Sequence, residues 1–363
     1  MSTSDLGGQL QESLPAAAEP LRAERAETAL PAGRAAFAAP IVAATALLCA
    51  GVATAIAGVP LRDPNAVTVR RLTVAVAMTV GFLLLDIVVR AARANRGVPS
   101  PRAIAEVRRT RWTAGRLTVV AVAVACFHVT YLAYRNIKSV APLLRPGDVF
   151  DSQLLDIDRW LLGGHDPYVA LHDLLGTGGA AHTLASVYMV FFAVIPLTLA
   201  AGLVLLPDLR SGLFVATALS LAWLLGAGSY LILPSIGPFH FDAAAFTSLP
   251  HTPVTDLQVS LMQRRAAFLA DPSAPGAAQS IGAFASLHTA IWGTIVLAAH
   301  VLGAPRAVRA IVWVLAVLTV VATVYFGWHY ILDDVGGVII AALAIGIAAA
   351  LTGVRRVRVG QAA

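Results

Sequence analysis

The chain has 363 residues, of which 58% are hydrophobic and only 13% carry a charged side chain. Soluble proteins contain about 25% charged residues, so this composition excludes a disordered chain and argues against an ordinary soluble enzyme. The formal net charge of +6 would suit a nucleic-acid-binding protein if the basic residues formed one face. They lie instead in short clusters between long uncharged stretches, which is typical of a membrane protein.

The long uncharged stretches predict membrane-spanning helices. A helix needs about 20 mostly apolar residues to cross the hydrocarbon core. Eight stretches meet this requirement, approximately 36–59, 72–91, 117–136, 183–206, 212–234, 284–303, 309–328 and 331–352. The second contains Asp86, which we expect to pair with Arg90 one helical turn later. Between the last two stretches the chain either turns at Gly327-Trp328-His329 or runs through a kink there. The sequence therefore predicts an all-α, polytopic membrane bundle of about eight helices.

The placement of the basic residues predicts the orientation of this bundle. If the N-terminus is cytoplasmic, 17 of the 26 Lys and Arg residues fall in cytoplasmic segments and nine in outer segments. The positive-inside rule then predicts a protein of the cell membrane with both termini in the cytoplasm. Because the arginines flank the spans, we expect membrane lipids and no nucleic acid as partners. The sequence leaves the oligomeric state open.

The same pattern divides the chain into four parts. Residues 1–35 have no apolar core and are predicted to be a disordered cytoplasmic tail. Residues 36–115 would form two accessory transmembrane helices and a basic cytoplasmic loop. Residues 116–352 would form the catalytic membrane domain, and residues 353–363 a basic cytoplasmic tail.

Two long segments, 137–182 and 235–283, face outward in this topology. Apolar residues between 154 and 162 alternate with acidic ones, including Asp158, and this pattern suits a short helix lying in the membrane interface. The histidines of the outer segments are expected to contact solvent or the interface: His165, His172, His182, His240 and His251.

Three other ionisable residues predict a catalytic site at the outer boundary. His288 opens the sixth span, while His329 closes the seventh and is followed four residues later by Asp333, so these two would share a helical face. A carboxylate there can accept the imidazole N–H, fix its tautomer and strengthen the other nitrogen as a nucleophile. A lone histidine in a span is often only structural, and we assign that role to His128 and His300. Grouped ionisable residues near membrane depth are costly and indicate function.

Two motifs around these residues resemble a known family. Residues 282–290 read Gly-Ala-Phe-Ala-Ser-Leu-His-Thr-Ala, and residues 325–333 read Tyr-Phe-Gly-Trp-His-Tyr-Ile-Leu-Asp. They resemble the second and third motifs of the type 2 phosphatidic-acid phosphatase superfamily. The Ser-Leu-His triplet, where lipid phosphatases have Ser-Gly-His, looks more like the inositol phosphorylceramide synthase branch. The likeness covers about residues 125–350 and implies a six-helix core and an inositolphosphotransferase activity without metal or cofactor.

The resemblance also implies roles for the site residues. His329 would attack phosphorus and become a transient phosphohistidine, oriented by Asp333. His288 would protonate the leaving oxygen, and Ser286 would contact the phosphate. These roles agree with the needs of phosphoryl transfer, which are an in-line nucleophile, a proton for the leaving group and positive charge around the phosphate oxygens.

The basic residues around the phosphate are where the sequence departs from the family. The phosphatases carry Ser-Arg shortly before the nucleophile, whereas this chain has Ala322 and Thr323, so one phosphate-binding arginine is missing. Lys138 and Arg145 match the first phosphatase motif, Lys-x6-Arg-Pro, and Arg135 lies one turn earlier. These three either bind the phosphate or are interfacial residues whose charged ends reach the membrane surface.

Three functions are compatible with these observations. The first is a membrane enzyme that transfers a phospho head group, such as phosphoinositol, from a phospholipid to a lipid or glycan hydroxyl at the outer face. The second is a phosphatase of lipid or polyprenyl (di)phosphates, with water as the acceptor. The third is a transporter or a non-catalytic scaffold with the same fold, although a transport site would be expected near the membrane midplane.

Overall fold

The structure, a computed structural model, describes residues 33–63 and 66–355. Within these residues every regular element is a helix and there is no strand, as the sequence predicts. Most of the two predicted cytoplasmic tails lies outside the described residues. The α-helices are α1 (Ala35–Ile56), α2 (Val67–Ala94), α3 (Pro101–Thr110), α4 (Ala114–Leu144), α5 (Asp151–Leu161), α6 (Pro167–Leu175), α7 (Gly179–Leu205), α8 (Leu209–Ile232), α9 (Pro238–Phe241), α10 (Pro253–Ala270), α11 (Leu287–Val301), α12 (Arg306–Tyr325) and α13 (Ile331–Thr352).

Seven of these helices are long and apolar enough to cross a membrane: α1, α2, α4, α7, α8, α12 and α13. The eighth predicted span corresponds to α11, which is apolar but has only 15 residues. Among the spans, α4 differs most in length from its prediction. It continues eight residues beyond its predicted end at 136, so Lys138 lies inside the helix and is buried. The helix therefore includes the first eight residues of the segment predicted to lie outside the spans.

The core of the bundle is built around α8. In its most apolar stretch 72% of the residues are buried within the protein, against 17% in α2. Helix α8 packs against α1, α4, α7, α11 and α13. Helix α2 packs mainly against α7 and leaves most of its apolar side chains facing outward. Side chains exposed in this way are compatible with a lipid environment because apolar surface is stable there, so α2 is the peripheral helix of the bundle.

One end of the bundle is held together by Asp86 of α2. Its carboxylate accepts hydrogen bonds from Arg90 Nε at 2.9 Å, Arg111 Nε at 3.1 Å and Trp112 Nε1 at 2.9 Å. The predicted pairing with Arg90 is thus confirmed, and two further donors compensate the cost of burying a charge inside a span. The ends of the described chain also meet at this end, because Gly353 lies beside the guanidinium of Arg34.

The opposite end is covered by α5, α6, α9 and α10, with a short 3-10 helix at Ala243–Phe246. Helix α5 confirms the prediction of a short helix in the 154–162 stretch. The expectation for His172 is wrong: it is buried, and its Nε2 lies 2.9 Å from the carbonyl oxygen of Tyr325. It is buried because α6 packs against the last turn of α12, and sequence alone does not indicate this contact.

Candidate active site

The turn between α12 and α13 is the structural basis of the site. Helix α12 ends at Tyr325, and the Trp328 N–H donates to the Thr323 carbonyl at 2.8 Å. Gly327 has a φ of +67°, and a Cβ there would lie 2.3 Å from the ring of Phe246. Only glycine fits this left-handed and crowded position. Of the turn and the kink that the sequence leaves open here, the structure has the turn, and it delivers His329 to the end of the bundle.

His329, His288 and Asp333 form a continuous chain of contacts. His329 Nδ1 lies 3.3 Å from Asp333 Oδ2, and His329 Nε2 lies 3.3 Å from Nδ1 of His288. The predicted shared helical face is corrected in one respect, since His329 precedes α13 and is not part of it. The contact arises instead because Asp333 caps the helix, and its Oδ2 also accepts the Tyr330 N–H at 2.9 Å.

The first turn of α11 fixes the position of His288. Ser286 is the N-cap residue, and its hydroxyl accepts the Thr289 N–H at 3.3 Å. The Ser286 N–H donates to the backbone carbonyl of Asp333 at 2.9 Å, which ties the starts of α11 and α13 together. Gly337 permits this approach, because a Cβ there would lie 2.6 Å from the Ser286 carbonyl oxygen.

Aromatic rings hold the His288 imidazole on its other sides. The ring centroids of Phe191 and Tyr188, both on α7, lie 4.4 Å and 4.8 Å from that of His288. Tyr188 also stacks on Trp328 at 5.9 Å. The Nε2 atom of His288 is buried and has no hydrogen-bond partner among the described residues. This atom is therefore free to interact with a substrate or a water molecule.

Two aspartates of α5 hold in place the residues that follow His329. Asp158 accepts the Ile331 N–H at 2.9 Å and so caps α13, and Asp151 accepts the Tyr330 hydroxyl at 2.9 Å. Asp151 also accepts the Gly237 N–H at 2.8 Å. Burial raises the pKa of Asp158 to about 6. The sequence places Asp158 only as a polar position of an interfacial helix, and its contact with residues more than 170 positions later is visible only in the fold.

The histidines face a cavity of about 250 Å³ between α2, α4, α7, α8, α10 and α11. Its walls are largely aromatic, including Tyr131, Tyr134, Phe192, Trp223 and Tyr230. Four basic side chains line the same cavity: Arg71, Arg135, Lys138 and Arg264. Among the described residues that line it, none is an Asp or a Glu. The cavity therefore combines the two histidines with a positively charged lining, as binding of an anion requires.

The structure brings together only some of the predicted phosphate-binding residues. Arg135 and Lys138 line the cavity with both histidines. The Lys138 ammonium lies 4.0 Å from the ring centroid of Tyr230 and donates to the Gly282 carbonyl at 3.3 Å. Arg145 is not among the lining residues, and its guanidinium is held by Asp148 at 2.6 Å and by the Leu231 carbonyl at 2.6 Å. Ser286 is fully buried as a helix cap and also lies outside the cavity lining.

Two basic residues of the cavity were not among the predicted site residues, Arg71 at the start of α2 and Arg264 on α10. Both lie in outer segments of the predicted topology and are among the nine basic residues counted there. Neither belongs to a motif, however, and no spacing relates them to the histidines.

The electrostatics of the site favour a neutral His329. Burial lowers the pKa of its imidazole, and the nearby Lys138 ammonium lowers it further, whereas the Asp334 carboxylate acts in the opposite direction. A neutral imidazole whose Nδ1–H points to Asp333 carries its lone pair on Nε2, where a nucleophile is needed. Among the described residues, no group of three or more His, Cys, Asp or Glu side chains is placed to hold a metal ion.

Comparison with protein families gives one match. The model of the PAP2 superfamily matches residues 152–347, which is just over half of the chain. The chain belongs to the PAP2 superfamily. A search of curated proteins and a search of solved structures each found no match.

The PAP2 match begins inside α5 and ends inside α13. It contains His288, His329 and Asp333, together with one of the four cavity cations, Arg264. The other three, Arg71, Arg135 and Lys138, come from α2 and α4, which precede the matched region. The family assignment supports activity of a phosphatase or phosphotransferase type on lipids.

Proposed function

We propose that the protein is a membrane-bound lipid phosphotransferase that acts through a phosphohistidine on His329. The observation that carries this proposal is the Asp333–His329–His288 chain, which faces a cavity lined by four cations and no carboxylate. Following the positive-inside distribution of arginines, we place both termini in the cytoplasm of a cell-membrane protein and the site at the extracytoplasmic face. Residues 116–352 would be the catalytic domain.

In the first step, the lone pair on His329 Nε2 attacks the phosphorus of the substrate. The bond between phosphorus and the leaving oxygen breaks, and that oxygen takes a proton from His288, whose imidazolium form is stabilised by the bound phosphate anion. The Asp333 carboxylate holds the Nδ1–H of His329 and compensates the positive charge of the phosphohistidine. The cations of the cavity lining balance the charge on the phosphate oxygens.

In the second step, the neutral His288 accepts a proton from the incoming acceptor. The acceptor oxygen attacks phosphorus, the bond between phosphorus and His329 Nε2 breaks, and both histidines return to their first states. With a lipid or glycan hydroxyl as the acceptor the reaction is a transfer, as the Ser-Leu-His triplet of the synthase branch implies. Phosphoinositol is the head group that this resemblance favours.

The second candidate is a phosphatase of lipid or polyprenyl (di)phosphates, with water as the acceptor. The four cations of the cavity favour it, because a phosphate monoester or diphosphate carries more negative charge than a phosphodiester. A transporter or scaffold is the third candidate, and the position of the histidines at one end of the spans argues against it.

Purified full-length protein incubated with radiolabelled phosphatidylinositol, phosphatidic acid and polyprenyl diphosphate, each with a hydroxyl acceptor lipid, separates these candidates. We expect label from phosphatidylinositol to appear in the acceptor lipid. Release of inorganic phosphate alone would overturn the transferase and support the phosphatase. Absence of turnover with all three substrates would contradict both enzymes.

A further inference from the structure

A second cavity adjoins the catalytic one and is largely apolar, with Arg70, Arg71 and His128 as its ionisable lining residues. Its volume is about 360 Å³, at the lower end of the usual range of roughly 300–1,000 Å³ for ligand pockets. Five residues line both cavities: Val67, Arg71, Tyr131, Phe192 and Trp223. The second cavity, here called the groove, is therefore separated from the space in front of the histidines by no more than these shared side chains.

The groove runs alongside the spans and away from the histidines. Its walls come from α2, α4, α7 and α8, with Val74 on α2, Phe127 on α4, and Ile195 and Pro196 on α7. On α7, Ile195 lies about one helical turn beyond Phe191, whose ring contacts His288. The groove therefore begins beside the histidines and extends about one turn further along α7.

Arg71 lies where the two cavities meet. Its guanidinium carbon is 4.7 Å from the ring centroid of Tyr131 and 5.9 Å from that of Phe192. Within the described residues, no Asp or Glu forms an ion pair with it. An arginine held by aromatic faces and without a carboxylate partner is available to bind an anion.

We propose that α2 forms one wall of the substrate site, with Arg71 binding an anionic head group and the groove taking a single hydrocarbon chain of that lipid. Charge and shared lining carry this assignment, because Arg71 lines both the cavity that holds the histidines and the adjoining groove. An amphiphile whose phosphate reaches His329 would pass Arg71 before its chain enters the groove. The proposal rests on the proposed function and extends it to a helix outside the region matched by the PAP2 superfamily.

The proposal is tested by binding, which does not require turnover. Full-length His329→Ala protein in phosphatidylcholine nanodiscs is titrated with radiolabelled dodecyl phosphate, a single-chain probe, and with phenyl phosphate, which lacks the chain. Arg71→Gln should weaken the binding of both probes at least about tenfold, as expected for losing a charged hydrogen bond. Val74→Trp, which fills the groove, should weaken the binding of dodecyl phosphate by about tenfold and leave the binding of phenyl phosphate unchanged.

Matched controls lie on the same helix. Val76 is as exposed as Val74, 46% against 47%, but does not line the groove, and Arg93 is exposed at the opposite end of α2. Val76→Trp and Arg93→Gln should stay within about twofold of the parent protein. If tryptophan at 74 prevents folding, Val74→Phe, which adds less bulk, replaces it.

Two results would overturn the proposal. The first is equal binding of dodecyl phosphate to the Val74 and Val76 variants, which would mean that only bulk membrane lipid fills the groove. The second is unchanged binding to the Arg71 variant. Neither depends on catalysis, so failure of the wild-type protein to turn over any lipid would contradict the proposed function while leaving this binding test intact.

Discussion

The two walls of the catalytic cavity are built differently. On one wall His288 and His329 are held by Asp333, by backbone capping and by aromatic rings, so each imidazole has one defined orientation. On the other wall Arg71, Arg135 and Arg264 have long side chains, and no ion pair with an Asp or Glu is found for them among the described residues. The rigid wall suits bond making and breaking, which require fixed geometry. The adaptable wall suits the binding of a charged head group.

The two walls also come from different parts of the chain. The rigid wall lies inside the residues matched by the PAP2 superfamily, and most of the cationic wall precedes them. The expected Ser-Arg pair is replaced by Ala322 and Thr323, which are both buried. We infer that α2 and α4 supply positive charge that the matched region lacks.

The largest effect is expected on the rigid wall. His329→Gln and His288→Gln should each lower turnover by about 10³-fold or more, because they remove the nucleophile and the proton donor. Asp333→Asn should leave a higher residual rate, since it only disturbs the orientation of His329. Turnover and trapping of the ³²P-labelled phosphoenzyme measure these effects.

His300→Gln is the matched control, because His300 lies at the far end of α11, where it contacts the Val296 carbonyl and the Trp313 ring. It should keep near-wild-type turnover. Wild-type rates in the His288, His329 and Asp333 variants would show that the chemistry takes place elsewhere.

A smaller effect should distinguish Arg135, which lines the cavity, from Arg145, which lies outside the cavity lining. Arg135→Gln should raise KM by about tenfold, because Arg135 lines the cavity and one of its Nη atoms is buried without a partner. Arg145→Gln should change KM by less than about twofold, because its guanidinium is already bound to Asp148 and to Leu231. Steady-state kinetics of both variants provide the measurement, and the reverse order would restore Arg145 as a phosphate ligand.

The smallest effect is expected at Asp158, which supports the rigid wall, and it is a pH dependence of stability. The pKa of Asp158 is about 6 in the fold, against about 3.9 in an unfolded chain. Between these values the folded protein binds a proton that the unfolded chain does not, so this group lowers the free energy of unfolding as pH rises from about 4 to about 6. Asp158→Asn removes the titration while keeping an acceptor oxygen for the Ile331 N–H.

The Tm of Asp158→Asn relative to wild type should therefore increase between pH 4.5 and pH 7. Asp156→Asn, an exposed position on the same helix, is the control and should show no such trend. Parallel pH profiles for wild type and Asp158→Asn would indicate that Asp158 stays charged in the fold.

The success of the sequence-based predictions depends on how local the underlying interactions are. The spans were predictable because hydrophobic length is a property of continuous segments. The pair Asp86 and Arg90 was predictable because four residues make one helical turn. The contact of His329 with Asp333 was predicted for a related reason, although helix capping produces it rather than a shared face.

Other features depend on residues far apart in the chain. Asp158 caps a helix that begins at Ile331, and His172 is buried against Tyr325, and no periodicity links either pair. Arg145 matches a phosphatase motif by spacing, yet the end of α4 directs its guanidinium toward Asp148 and Leu231. Motif spacing does not specify where a helix ends.

By itself the sequence determined an all-helical membrane bundle, the turn before α13 and the residues that form its histidine chain. These follow from apolar segment length, from glycine in a tight turn and from short-range contacts. Only the tertiary structure decided which basic residues face the histidines, because helix packing brings Arg71, Arg135 and Arg264 from three separate helices to one cavity. It also decided that a peripheral helix closes this cavity, because α2 packs against α7 beside the site.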